Sequence, residues 1–286
     1  MPVYSPAAQT TANRGRRRLI SLAHLSLIQT APTQLMRIAS AAGFDLVDLR
    51  LAPATPTDPA YSAADLKTLR RELAAIMDDT GLRVWDVEII RVNDQTRPEA
   101  YLPLMEAATA LGAKRMKLVC DSQDHGRTAE TLGHLCDLAA PFGLVLDLEY
   151  MVFSGVRSLQ SALKLVEATG RTNLKVLVDA LHWVRAGDAT HLVPVHPARL
   201  GYVQLCDGPL HGRANRQALI QEARTNRLAP GEGEFPLDRL LETMPPLCVA
   251  SVEVPLPPDR EPLAHARRLL DATRALCDRH ERETTP

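Results

Sequence analysis

Leu174-Lys175-Val176-Leu177-Val178-Asp179-Ala180-Leu181-His182 is the stretch on which the reading of this chain turns. Its run of Leu, Lys and Val favours a strand, and an apolar run of this length reads as a strand buried on both faces, as in a parallel sheet. The run stops on an acid, with a histidine three positions later. A carboxylate at the exit of such a strand is costly to desolvate unless something compensates it. A hydrogen-bonded structural aspartate is one compensation. A metal ligand at the open end of a barrel is the other. The stretch alone leaves both open.

Working outward, the same unit recurs. Leu19 to Leu27, Phe44 to Leu51, Arg83 to Ile90, Arg115 to Cys120, Leu144 to Tyr150, the stretch itself, Leu200 to Cys206 and Leu247 to Val254 are strand candidates. Helices are expected between them at Pro32 to Ala42, Ser62 to Thr80, Pro98 to Leu111, Thr128 to Pro141 and Ser158 to Thr169, with short ones near Ala189 to Leu192 and at Leu237 to Glu242, and a last one from Pro262 to Arg279. Gly43, Gly81, Gly112 and Gly170 stand where helices should stop, and Pro32 where one should start. Arg213 to Ala223, inside the long loop from Asp207 to Phe235, has helical character. Eight strands alternating with helices, with no dividing linker, are the pattern of a single-domain (β/α)8 barrel. The boundaries expected are a loose arm over 1–17, the barrel over 18–281 and a tail over 282–286. A doubly wound open sheet is the competing architecture. It calls for a Gly-rich phosphate turn after the first strand, and Ser26-Leu27-Ile28-Gln29 is not one.

Composition narrows the function classes. The chain has 286 residues, 45% of them hydrophobic, and a net charge of -1, which gives no footing for nucleic acid or an anionic membrane surface. Five scattered cysteines without C-x-x-C spacing argue against a disulfide framework or a zinc ribbon, so a reducing, cytoplasmic setting is expected. Arg14-Gly15-Arg16-Arg17-Arg18 ahead of Leu19 to Ile28 has the look of a signal peptide, but His24 interrupts the apolar run and the barrel needs it as a strand. No stretch has the 18 or so apolar residues of a membrane span.

In a (β/α)8 barrel the chemistry sits at the C-terminal ends of the strands. Those ends offer, in order, His24, Arg50, Glu88, Lys117 with Asp121, Asp147 with Glu149, Asp179 with His182, Gln204 with Asp207, and Glu253. Glu149, Asp179, Gln204 and Glu253 fall on four consecutive strands. Three carboxylates so close would repel unless a cation sat among them. With one amide carbonyl they form a hard, all-oxygen set suited to Mn2+ or Mg2+ ahead of Co2+ or Zn2+. Separately satisfied acids, or an ion-pair cluster with Arg50 and Arg213, are the competing explanation.

The segments Leu148-Glu149-Tyr150, Val178 to His182, Val203-Gln204-Leu205-Cys206-Asp207, Pro230-Gly231-Glu232-Gly233-Glu234-Phe235 and Ser251-Val252-Glu253 resemble the xylose isomerase-like barrel superfamily, the sugar phosphate isomerase/epimerase group. The resemblance implies one divalent metal on Glu149, Asp179, Gln204 and Glu253, with Gln204 standing where the family usually has His. It also implies substrate-binding roles for His182 and Arg213. Arg50, Glu88, Lys117 and His24 join them as candidates from their strand ends. The implied chemistry is proton transfer beside a carbonyl that the metal polarises, through an enediolate, with Glu149 and Glu253 removing and returning the proton. The substrate expected is a small carbohydrate, phosphorylated or not, or a keto-acid, and barrels of this group often pair as homodimers.

Three further readings compete. A metal-dependent dehydratase of a keto-polyol, of the 3-dehydroshikimate or keto-inositol type, would begin with the same abstraction. Gln204 suits that branch, whereas Leu49-Arg50-Leu51-Ala52-Pro53 lacks a His there. A DNA repair endonuclease on this scaffold would need more histidine ligands and a basic groove. A non-catalytic ligand-binding barrel would hold no metal.

Overall fold

Helix boundaries in this chain are written by short polar residues and glycines. Ser62 accepts a hydrogen bond from the Asp65 amide (3.2 Å), and Asp65 accepts one back from the Ser62 amide (2.9 Å). That reciprocal box satisfies two donors that the first turn of a helix leaves without partners. At the other end of the preceding helix, Gly43 takes φ 96°, a left-handed conformation that is cheap only for glycine. The computed structural model describes residues 17–284 apart from 56–57, 191–194 and 213–214.

Eight parallel strands close into a barrel in sequence order: β1 (Ile20–Leu22), β2 (Leu46–Arg50), β3 (Arg83–Val92), β4 (Arg115–Cys120), β5 (Val145–Glu149), β6 (Leu174–Asp179), β7 (Leu200–Leu205) and β8 (Ala250–Val252). β8 pairs back to β1 through Ser251 opposite Ser21. The outer layer is α1 (Pro32–Ala42), α2 (Ala63–Thr80), α3 (Leu102–Ala110), α4 (His125–Ala139), α5 (Leu159–Thr169), α6 (Ala180–Arg185), α7 (Arg216–Thr225), α8 (Leu237–Thr243) and α9 (Pro262–Thr284). The main core lies between this layer and the barrel. A small second cluster of Leu46, Leu177, Tyr202 and Val249, with Trp85 against it, packs toward the N-terminal ends of the strands. No helix among the described residues is long and apolar enough to cross a membrane.

The barrel expected from the sequence is therefore present, with local differences. β1 ends at Leu22, and His24–Leu27 is a 3-10 turn rather than more strand. The helix after β3 starts as a 3-10 turn over Pro98–Tyr101. α4 begins at His125 because Asp124 caps it, accepting from the Arg127 amide (3.0 Å). The helix expected within Arg213 to Ala223 is α7, capped by Asn215. α6, directly after β6, was not anticipated. Ala189 and Thr190 lie in a turn, and the rest of the short helix expected there is outside the described residues, as are 1–16 of the arm and 285–286 of the tail. α9 runs on to Thr284.

The long connection from β7 to α8 has its own anchor. Asp207 and Leu228 exchange both backbone hydrogen bonds (2.8 and 2.9 Å), so the chain leaves the barrel, forms α7 and returns to its point of departure. The Asp207 carboxylate then accepts from the amides of Gly208 (2.8 Å), Gly231 (2.9 Å) and Phe235 (2.9 Å). A side chain at position 233 would place its Cβ 2.4 Å from Asp207 Oδ1, which is why this turn holds a glycine. The Pro230 to Phe235 turn thus steers the chain into α8, as its composition suggested.

Candidate active site

The strand ends at the C-terminal mouth converge on one buried cluster. Glu149 ends β5, Asp179 ends β6, Gln204 is the penultimate residue of β7, and Glu253 follows β8. One carboxylate oxygen from each of Glu149, Asp179 and Glu253 lies within 4.8 Å of the other two. Gln204 Nε2 donates to Glu253 Oε1 (3.0 Å), while Gln204 Oε1 is buried without a hydrogen-bond partner among the described residues. Asp179 also caps α6 by accepting from the His182 amide (3.1 Å). This short helix places the His182 ring beside the cluster, with Nε2 3.9 Å from Glu149 Oε1 and Phe153 edge-on at 5.2 Å. His182 Nδ1 has no hydrogen-bond partner among the described residues.

Two buried cations stand among these acids. Lys117 Nζ, from β4, lies 3.2 Å from Glu88, 3.2 Å from Glu253 and 3.8 Å from Glu149. Arg227 lies 2.6 Å from Asp179 Oδ2 through Nη1 and 3.0 Å from Glu253 Oε2 through Nη2. Its Nε donates to the Ala223 carbonyl (2.8 Å) near the end of α7. Arg50 extends the network, donating to Glu88 Oε2 from Nη2 (2.7 Å) and Nε (3.2 Å).

A family model described as xylose isomerase-like TIM barrel matches residues 36–279. This chain belongs to that family. Its barrel superposes on that of the IolI protein with a bound zinc atom (TM-score 0.75, 16% identity, covering 92% of this chain and 99% of that one). It is also similar to D-psicose 3-epimerase solved in the presence of D-fructose (0.66, 14%, 91% and 99%) and to AsbF from Bacillus anthracis, described as a probable 3-DHS dehydratase (0.64, 14%, 89% and 98%). At these identities the likeness shows the shared fold. No curated protein sequence matches the chain.

In this xylose isomerase-like barrel, burial and neighbours divide the titrating groups. Burial, with Glu253 and Asp179 close by, pushes Glu149 up to about 8 despite Lys117. Burial would raise Asp179 too, but the Arg227 guanidinium and the His182 contacts hold it below the usual carboxylate range. Glu88 is likewise buried, yet Lys117 and Arg50 bring it down to about 2. Burial lowers His182 to about 4, so its ring is neutral near pH 7. Burial acts to lower Lys117, but Glu253, Glu88 and Glu149 carry it well above the ordinary lysine range. Four carboxyl groups thus face three cations, and a proton on Glu149 would balance the charge.

The fold family implies a divalent ion, and the residues present fit one. Glu149, Asp179 and Glu253 supply clustered oxygens, and the orphaned Gln204 Oε1 is the kind of atom that a hard cation satisfies. All four could hold it. The same carboxylates, however, already carry Arg227 and Lys117.

The sequence candidates divide accordingly. Arg50, Glu88, Lys117, Glu149, Asp179, His182, Gln204 and Glu253 come together. His24 does not offer itself to a substrate: its Nδ1 accepts from the Arg50 amide (2.9 Å), and Nε2 lies 3.1 Å from the Thr30 carbonyl. The 3-10 turn after β1 folds the ring back onto the backbone, which corrects the expectation for this residue. Asp147 faces Arg115 instead of the cluster (2.6 Å at both oxygens). Arg213 lies outside the described residues. Arg227 escaped the sequence reading, which placed a loop arginine before the α7 excursion rather than after it. Its signal was an arginine directly ahead of Leu228 and the Pro230-Gly231 turn.

Proposed function

We propose that this barrel catalyses metal-assisted proton transfer beside the carbonyl of a small hydroxylated compound, as a sugar isomerase or epimerase. The observation that carries the reading is the triad of carboxylate oxygens on β5, β6 and just after β8 with the unsatisfied Gln204 Oε1 among them. Glu149, Asp179, Gln204 and Glu253 would hold a divalent ion of the Mn2+ or Mg2+ kind. That ion would supply Lewis acidity, making the C–H next to the substrate carbonyl easier to ionise.

The chain's own groups do the rest. Glu149 and Glu253 come from well-separated strands, so one can remove a proton and the other return it. Lys117 contributes positive charge where negative charge develops. It does not act as an imine-forming amine, because three neighbouring carboxyl groups keep it protonated. His182 is neutral, and its Nδ1, which has no hydrogen-bond partner among the described residues, is suited to a hydrogen bond with a substrate hydroxyl. Arg50 and Lys117 fix Glu88, which shapes the wall beside them.

A dehydratase is the second reading, and two observations favour it. Gln204 takes the position where histidine is usual, and the raised Glu149 can carry the proton that a departing hydroxyl needs. Both activities predict deuterium uptake from heavy water at the carbon beside the carbonyl, tested with ketoses and keto-acids after loading with Mn2+. Chelation should abolish the uptake. Growth of an enone absorbance marks the dehydratase, and its absence with continued exchange marks the isomerase or epimerase. If the loaded protein exchanged no proton in any compound of the panel, both would be wrong.

A further inference from the structure

Arg227 sits on the carboxylates that the proposed ion needs. Its two terminal nitrogens reach Asp179 Oδ2 and Glu253 Oε2, and its residue is buried. A guanidinium fork matched to two carboxylates is a directional, charge-assisted contact. The placement is built rather than incidental. Nε is tied to the Ala223 carbonyl, and the next residue, Leu228, is locked to Asp207 by two backbone hydrogen bonds. α7 is held in turn by Glu222, which receives the Arg185 guanidinium from α6 (2.7 and 2.9 Å).

Gln204 behaves differently from the two acids. No described residue donates to its buried Oε1, although its Nε2 contacts Glu253. Gln204 Oε1 is therefore a cation-seeking atom left over beside the triad after Arg227 and Lys117 have taken their partners. Arg227 is spent on Asp179 and Glu253, whereas a divalent ion would draw on those two acids, Glu149 and this carbonyl together.

We infer that Arg227 is an internal competitor for the divalent ion: it neutralises Asp179 and Glu253 in the unloaded barrel and must withdraw before the ion can bind. The inference rests on the metal-dependent reading of the site. Apparent affinity for the ion is then reduced by the fraction of molecules in which the guanidinium still occupies the carboxylates. Withdrawal need not disturb the barrel, because Arg227 belongs to the β7–α8 connection and not to a strand. Lys117 differs in this respect: it belongs to β4, and its nitrogen lies farther from the acids than those of Arg227.

The test is Mn2+ binding by titration calorimetry to the full-length wild-type protein, Arg227→Gln and Arg227→Lys, with melting temperature followed at each Mn2+ concentration. Arg227→Gln should bind Mn2+ at least tenfold more tightly than the wild type. It should melt lower without the ion and gain more from it. Arg227→Lys keeps the charge without the fork and should fall between. A purely structural arginine would lower the melting point of the variant without tightening Mn2+ binding. Equal or weaker binding by Arg227→Gln, with the wild type binding normally, would overturn the inference and leave the metal reading standing. Binding by none of the three proteins would overturn both.

Discussion

The interior of this barrel holds two acidic layers, and they are neutralised by different means. In the lower layer, Asp48 accepts from Ser21 (2.6 Å) and from Ser251, Asp86 accepts from Tyr202, and Asp147 faces the Arg115 fork. In the upper layer, Glu88, Glu149, Asp179 and Glu253 are held by Lys117, Arg50 and Arg227. Burial pushes Asp48 up to about 7 and Asp86 well above the usual carboxylate range, so protons and hydroxyl donors quiet these two acids of the lower layer, and the Arg115 guanidinium quiets Asp147. The upper layer relies on the cations Lys117, Arg50 and Arg227 and leaves Gln204 Oε1 and His182 Nδ1 without hydrogen-bond partners among the described residues. Buried acids that are hydrogen-bonded by neutral groups serve the fold. Buried acids balanced by exchangeable charge are available for chemistry.

The largest effect that would break this contrast comes from the upper layer. Glu149→Gln and Glu253→Gln are each expected to lower kcat by about 10²- to 10⁴-fold, the usual worth of a positioned acid or base. Full turnover by both variants on an identified substrate would remove the distinction between the layers. Their melting points should change much less than their rates.

Next comes the lower layer's ion pair. A Cβ at position 201 would lie 1.9 Å from Asp147 Oδ1 and 2.7 Å from Arg115 Nη2. Gly201→Ala should therefore split the Arg115–Asp147 pair and cost about 3 kcal/mol in urea denaturation, the scale for breaking a buried pair. Mn2+ affinity should stay unchanged, since Asp147 stands two residues before Glu149 on β5 and faces Arg115 instead of the cluster. A variant that kept wild-type stability would mean that the pair has room to shift.

The most gradual effect is a pH dependence, spread over several pH units. Asp48 binds a proton more readily folded than unfolded, because burial raises its folded value to about 7 from 3.8. Its contribution is complete below about pH 4 and is lost as pH rises toward 7, at up to about 1.4 kcal/mol per pH unit. Asp48→Asn removes that titration. Denaturation at pH 5, 6 and 7 should show the wild type losing ground relative to the variant, and parallel profiles would place Asp48 outside the lower layer's proton balance.

Much of this was legible in the sequence, for identifiable reasons. Apolar strands alternating with helices bounded by Pro32, Ser62, Gly43 and Gly81 carry their own punctuation, so the barrel could be read directly. Glu149, Asp179, Gln204 and Glu253 were legible because each is set in apolar surroundings near a strand end, where an unpaired polar group would be expensive. Asp147 was misplaced because two residues along a strand are roughly 6–7 Å, enough to carry a side chain from the mouth to the level of Arg115. His24 was misread because a 3-10 turn replaced the end of β1 and turned the ring onto backbone atoms. Arg227 was missed because its position depends on where an excursion returns, which loop composition does not encode.

The Asp207–Leu228 bridge gives that excursion a fixed phase. Two backbone bonds hold its base closed, so chain can be added or removed within it without reopening the barrel. A change of a single residue between Arg227 and Leu228 is another matter. Neighbouring side chains on an extended strand point to opposite sides, so such a slip would turn the guanidinium out of the mouth. The tolerance ends where α7 meets Arg227, because the Ala223 carbonyl and the Glu222–Arg185 pair hold the guanidinium from inside the excursion.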